Sequence, residues 1–197
     1  LSSQKVGATV ADDVTRKAFI AVIVSLVVMF VYIAIRFRRW QYGLSSIICL
    51  THDTLLVIGM YSLFNNILPF TMEVNQSFIA AVLTIIGYSI NNTVVIFDRV
   101  RENVNLFPKK GWKERFNSAN NSTLLRTINT SGTTIVVLLA IFIFGGETIR
   151  GFVFALLVGM IAGTFSSLFI ASPLAYALFK GKQYDEQLEQ VADKKRK

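Results

Sequence analysis

Five apolar runs dominate the chain, at 18–35, 43–63, 78–97, 127–145 and 151–179. Polar positions gather between the runs and do not alternate within them. At about 1.5 Å of rise per residue, each run reaches most or all of a hydrocarbon layer about 30 Å thick. A closed barrel would need short alternating strands, so the pattern predicts helices. The expected fold is an all-α membrane protein, a bundle of five transmembrane helices over 18–179. A polar segment at 1–17 and a tail at 180–197 flank it. The first run is the shortest, and Arg36 extends its reach by snorkelling. The last is long enough to tilt, and Pro173 kinks or ends it. In the loop after the third run, Trp112, Phe116 and Ala119 fall on one side of a short stretch, with Lys113 and Arg115 pointing away. That suits an interfacial helix on the inner leaflet.

Composition sharpens the class. The chain is 53% hydrophobic and only 16% charged, against about 25% charged in a soluble domain. Its net charge of +8 is unevenly placed. Arg36, Arg38 and Arg39 fill the first loop. Arg99, Arg101, Lys109, Lys110, Lys113 and Arg115 fill the third, and Lys180, Lys182, Lys194, Lys195, Arg196 and Lys197 fill the tail. The second loop has no basic residue and the fourth has only Arg150. Basic loops sit on the cytoplasmic side, so the first and third loops and the C-terminus are expected there. The N-terminal residues, which carry no signal-peptide pattern, read as the end of a periplasmic segment. The basic excess then marks topology and attraction to lipid headgroups, and no nucleic-acid partner is expected. A single cysteine, Cys49, excludes an internal disulfide and a multi-cysteine metal site. Neither a metal nor a cofactor is expected.

Polar groups inside the runs carry the candidate chemistry, because ionisable groups in a span mark function by default. Asp53 lies ten residues past Gly43, about 15 Å deep. A carboxylate there must be paired, protonated or open to a wet cavity. It either serves an ion path or clamps a neighbouring helix through His52 or Thr54. In the third run Tyr88, Ser89, Asn91 and Asn92 cluster, with Asn92 four residues from Tyr88 and three from Ser89, on one face. The fourth run opens "RTINTSGTT": Arg126 heads a stripe continued by Thr130 and Thr133 and flanked by Asn129 and Ser131. Facing each other, these two antiparallel spans would form one polar seam, with Asp53, Asn91, Asn92, Arg126, Thr130 and Ser131 as the ion-pathway candidates. Gly159 and Gly163, in small-xxx-small spacing, and Gly87 permit close helix contact. Asp98, Arg99, Arg101 and Glu102 mark the cytoplasmic border as solvated pairs.

The string "GYSINNTVVIFDRVREN" at 87–103 resembles the signature of the SecF protein-export subunits, G-Y-S-x-N-D-T-x-V-x-F-D-R-x-R-E-N. "THD" at 51–53, "RTINTSGTT" at 126–134, "FGG" at 144–146, "GTFSSLFIASPL" at 163–174 and "KVGATV" at 5–10 resemble the same family in the same order. The likeness is to SecF, or the SecF half of a fused SecDF, in the resistance-nodulation-division superfamily. It implies the last five spans of a six-helix SecF half. It further implies a non-enzymatic role in which the transmembrane ion gradient assists protein export. The partners implied are SecD, separate or fused, the SecYEG channel, YajC, the unfolded exported polypeptide and membrane lipids. The setting implied is the bacterial cytoplasmic membrane. The family's titrating carboxylate falls at Asn92 and its functional arginine at Arg126. An amide does not take up a proton in this range, so the ion-responsive group would be Asp53, a carboxylate of SecD, or Asn92 acting on another cation through its carbonyl, unless this version does not couple to an ion at all. A drug or lipid exporter of the same superfamily is the alternative. An intramembrane hydrolase using His52 and Asp53 would lack a second aspartyl motif, a supported nucleophile and a metal triad.

Overall fold

The computed structural model describes residues 8–65, 67–70 and 72–180, and side chains from residue 16 onward. The expected tail at 181–197 and the first residues, 1–7, lie outside the described residues. The chain forms α1 (Ala8–Phe37), α2 (Trp40–Phe64), α3 (Gln76–Leu106), α4 (Trp112–Phe144) and α5 (Glu147–Ser166). A wide π-turn at Ser167–Ala171 and the short α6 (Ser172–Leu178) follow. Among the described residues, five helices are long and apolar enough to cross a membrane, the last running through the π-turn to Leu178.

Local chemistry sets the connections. Only Arg38 and Arg39 separate α1 from α2, and Arg38 adopts φ 54°, the left-handed conformation that reverses a chain tightly. The helices then touch closely, with the position of a Cβ on Gly43 falling 3.0 Å from the Phe30 ring. Asn75 caps α3 by accepting from Phe78 N–H at 3.1 Å.

The short helix expected in the third loop is the opening of α4, which runs on unbroken into the span. Its faces differ from the expectation. Arg115 is buried at 4% exposure. It donates from Nε to Phe107 O at 3.2 Å and from Nη2 to Pro108 O at 2.7 Å, satisfying carbonyls at the end of α3. Asn103 Nδ2 donates back to Arg115 O at 3.1 Å. Trp112 stacks on Phe179 and Phe116 meets Tyr176 edge-on. This stretch therefore packs on α6 and Phe179 and does not lie free on lipid. Replacing Arg115 by Ala is expected to cost about 2 kcal/mol by removing two charge-assisted hydrogen bonds to part-buried carbonyls. Thermal unfolding in detergent measures it, and an unchanged Tm would refute the assignment.

Helices α3 and α5 form the centre. Ala81, Ile85, Ile86, Ile96, Phe97 and Val100 of α3 are almost fully buried, as are Val153, Ala155 and Met160 of α5. Helix α1 is peripheral: Phe19, Val24, Val27, Val28 and Ile35 are exposed, while Ile33 and Phe37 reach inward near its end. Large exposed apolar residues on outer faces fit lipid as the solvent.

Candidate functional site

Several buried polar residues gather around Asp53 near the middle of the bundle, among them Ser89 and Ser166. Asp53 stands on α2, 13 residues from Trp40 and 11 from Phe64, so about 20 Å and 16 Å from the two helix ends. It is 1% exposed. Its Oδ2 accepts from Ser89 Oγ of α3 at 2.6 Å and from Ser166 Oγ of α5 at 2.8 Å. Its Oδ1 lies 3.2 Å from His52 Nδ1. Three helices thus converge on one carboxylate, and the hydroxyl donors compensate its loss of water.

The glycines of α5 make that convergence sterically feasible. A Cβ on Gly163 would fall 3.0 Å from Ser89 Cβ and 3.5 Å from Asp53 Oδ2. A Cβ on Gly159 would fall 2.3 Å from Ile85 Cδ1. Gly87 differs: it is exposed, with nothing within 4 Å of a Cβ there. It makes no close helix contact within this bundle, because it sits on the face of α3 turned away from α5.

A second junction lies beside the first. Tyr88 Oη donates to Ser131 Oγ at 3.2 Å, and Thr164 Oγ1 donates to the same oxygen at 2.8 Å, linking α3, α4 and α5. Ser131 is therefore inside, as are Thr123 and Thr127 in front of it. One helical position over, Arg126, Asn129, Thr130 and Thr133 are exposed, and so is Asn91 on α3. Asn92 is buried, and its Nδ2 has no hydrogen-bond partner among the described residues. The expected seam lined by both Asn92 and Arg126 is thus not formed within this chain. Adjacent helical positions diverge by about 100°, so α4 turns its Thr127–Ser131 face inward and its Arg126 stripe outward. Arg126 has no ion-pair partner among the described residues.

At the border, Arg99 pairs with Glu102, and Arg36 of α1 lies 3.6 Å from Asp98 of α3. All four are partly exposed, as solvated pairs should be, and each contributes little on its own. Arg101 is exposed as well. The described residues hold no cluster of three or more metal-ligating side chains.

Several groups escaped sequence reasoning. Ser166 and Thr164 come from α5, far along the chain, and only the small-polar periodicity of "GTFSS" hinted at an inward face. The π-turn was not foreseen either. In its i→i+5 pattern the Leu168 carbonyl faces position 173, where proline has no N–H to give. Asn120 Nδ2, from α4, donates to Leu168 O at 3.3 Å in its place.

The comparisons with known proteins agree on a family. The family model described as "Protein export membrane protein SecD/SecF, C-terminal" matches residues 1–181. Protein translocase subunit SecF of Rhodothermus marinus is 50% identical over 173 residues, covering 88% of this chain and 56% of that protein. Protein translocase subunit SecDF of Thermus thermophilus is 41% identical over 177 residues, covering 90% of this chain and 23% of that one. A crystal structure of SecDF in a super-membrane-facing form superposes with a TM-score of 0.77 at 38% identity, covering 93% of this chain and 24% of that chain. The chain spans about half the length of the SecF relative. With its five apolar helices, the chain is a multi-pass protein of the inner membrane.

Proposed function

Since the chain belongs to the SecD/SecF C-terminal family of protein-export membrane proteins, we propose that it is the five-span part of a SecF subunit. In this reading it uses the transmembrane ion gradient to help move unfolded polypeptide across the membrane beside the SecYEG channel. It works as a non-enzymatic transport component. SecD, separate or fused, is its first partner, and YajC is a further one.

Asp53 carries the ion-driven part of the reading. A carboxylate at mid-span, held by hydroxyls from two other helices, places an ion-responsive group where three elements meet. Changing its charge alters the contacts of all three at once. The energy scale is adequate. One elementary charge crossing 100 mV supplies about 2.3 kcal/mol, and moving a two-state equilibrium from 1:99 to 99:1 takes about 5.5 kcal/mol. About three ions per cycle therefore suffice.

The outward stripe of Arg126, Asn129, Thr130 and Thr133 supports a partner inside the membrane. Such groups are disfavoured against acyl chains, and a second helical bundle of SecD type would cover them. Orientation follows the basic loops. The Arg36–Asp98 contact joins the last turn of α1 to the C-terminal third of α3, which fits both lying toward the cytoplasmic side, with the N-terminal end of α1 outside.

The test is complementation. The full-length subunit, produced with its SecD in cells depleted of their own SecF, should restore processing of secretory precursors in a pulse–chase. The restored part should vanish when the gradient is collapsed. Continued accumulation of precursors, with the protein present in the membrane, would sink the reading. Asn92→Asp is expected to change the pH or ion dependence of that export, because it replaces a buried amide with a titratable carboxyl group. An unchanged profile would make position 92 a packing position.

A further inference from the structure

The two oxygens of Asp53 have different surroundings. Oδ2 is taken by the hydroxyls of Ser89 and Ser166, inside the bundle. Oδ1 has one partner among the described residues, His52 Nδ1 at 3.2 Å. Neighbouring positions on a helix do not normally face each other, so the imidazole reaches back over its own turn to make this contact. The Asp53 side chain is 1% exposed and that of His52 is 43% exposed. One ring therefore links a sealed carboxylate to the outer surface of the bundle.

Among the described residues, no Lys or Arg pairs with Asp53. Between Lys17 and Arg36, between Glu73 and Asp98, and between Arg150 and Lys180 the sequence has no charged residue, and α2 has only His52 and Asp53. These intervals cover the spans of α1, α3, α5 and α6 packed around α2. Besides His52 and Asp53, the titratable groups in these intervals and on α2 are Tyr42, Cys49 and Tyr61 of α2, Tyr32 of α1, Tyr88 of α3 and Tyr176 of α6; the remaining charged residues of α1, α3 and α5 lie toward the helix ends. Of these, Cys49 lies one turn from Asp53 on the same buried face, and the Tyr88 hydroxyl is directed to Ser131. A carboxylate this deep needs a counter-charge or a proton. An imidazole at Oδ1 both accepts and donates one.

We propose that His52 and Asp53 form a proton relay. A proton from the bundle surface binds His52 Nε2, giving the imidazolium. The Nδ1–H bond then breaks as an Oδ1–H bond forms on Asp53. Asp53 becomes neutral and His52 returns to the neutral ring with its hydrogen on Nε2, so one proton is taken up and no electrons change hands. Reversal releases the proton along the same path. Neutral Asp53 holds the Ser89 and Ser166 hydroxyls less strongly, because charge-assisted hydrogen bonds are about twice as strong as neutral ones. Proton occupancy is thereby coupled to the meeting of α2, α3 and α5. The relay depends on the ion-gradient reading for its purpose, but its test needs no export substrate.

The full-length subunit with its SecD partner, in proteoliposomes, is followed by infrared difference spectroscopy after a pH jump. The expected signal is the C=O stretch of a protonated carboxyl, growing as pH falls and lost in Asp53→Asn. Asp53→Glu should move the band without removing it, which separates loss of the group from loss of the fold. His52→Phe should keep the band and slow its rise on the order of a hundredfold, the usual scale for a positioned acid–base group. Imidazole in the buffer should restore the rate. A band rising at the wild-type rate in His52→Phe overturns the relay. So does a wild-type spectrum that ignores pH, or a band that sodium abolishes at constant pH, which would identify a metal cation as the ligand. An intact relay in a subunit that fails to support export would count against the ion-gradient reading alone.

Discussion

Gly159→Val is expected to push α3 from α5 and to cost about 3 kcal/mol, the upper part of the usual range for overpacking a core. A Cβ at this position would meet Ile85 Cδ1, Cγ1 and Cγ2 at 2.3, 2.4 and 2.7 Å. Ile85 is 2% exposed and β-branched, so its side chain has few rotamers into which to retreat. Thermal unfolding of the purified full-length protein in detergent reads the loss. Ile85→Ala in the same chain should return part of it by vacating the space, since the two residues touch and their effects are coupled. A Gly159→Val protein as stable as the parent, or one that Ile85→Ala only weakens further, would contradict this packing.

Arg126→Met should abolish the gradient-dependent part of export while leaving association with SecD intact. Methionine retains an unbranched side chain but removes the charge. Arg126 is exposed on α4 and heads the stripe of Asn129, Thr130 and Thr133. A residue that only snorkels to headgroups has no need of two further polar turns beyond it. Arg126→Lys should retain part of the activity through its charge, though without the planar fork of donors. Co-purification with SecD and the pulse–chase of precursors separate the two effects. Full gradient-dependent export by Arg126→Met would remove the residue from the mechanism.

Much of the fold was legible because hydropathy in a membrane reports length directly. Each of the five apolar runs became a spanning helix. The helix ends were less legible. Helix α3 continues through "DRVREN" and α4 begins at Trp112, because backbone hydrogen bonds persist where side-chain hydropathy has already fallen. There, Val100 and Phe116 pack against other helices in a region whose charges suggested a solvated loop. Asp53 stood out as a charge among apolar residues, but its partners did not. Ser166 lies 113 positions away, and which helices meet at a carboxylate is decided by packing. The Arg126 stripe illustrates the same limit. Sequence periodicity shows that a polar face exists, yet Thr127 and Ser131 face inward from positions beside Arg126 and Thr130. A shift of one position decides which face is buried, and only tertiary contacts set it.

The π-turn also fixes the azimuth of α6. A turn that holds one residue more than an α-turn rotates everything after it by about 100° relative to a continuous helix. Phe179 and Tyr176 therefore meet Trp112 and Phe116 in a phase that α5 alone would not give them. Ser166, just ahead of the wide turn, keeps the phase that points it at Asp53. One apolar run thus serves two surfaces with different angular demands, the mid-span carboxylate and the aromatic clasp near the basic loops, and the extra residue is the phase correction between them.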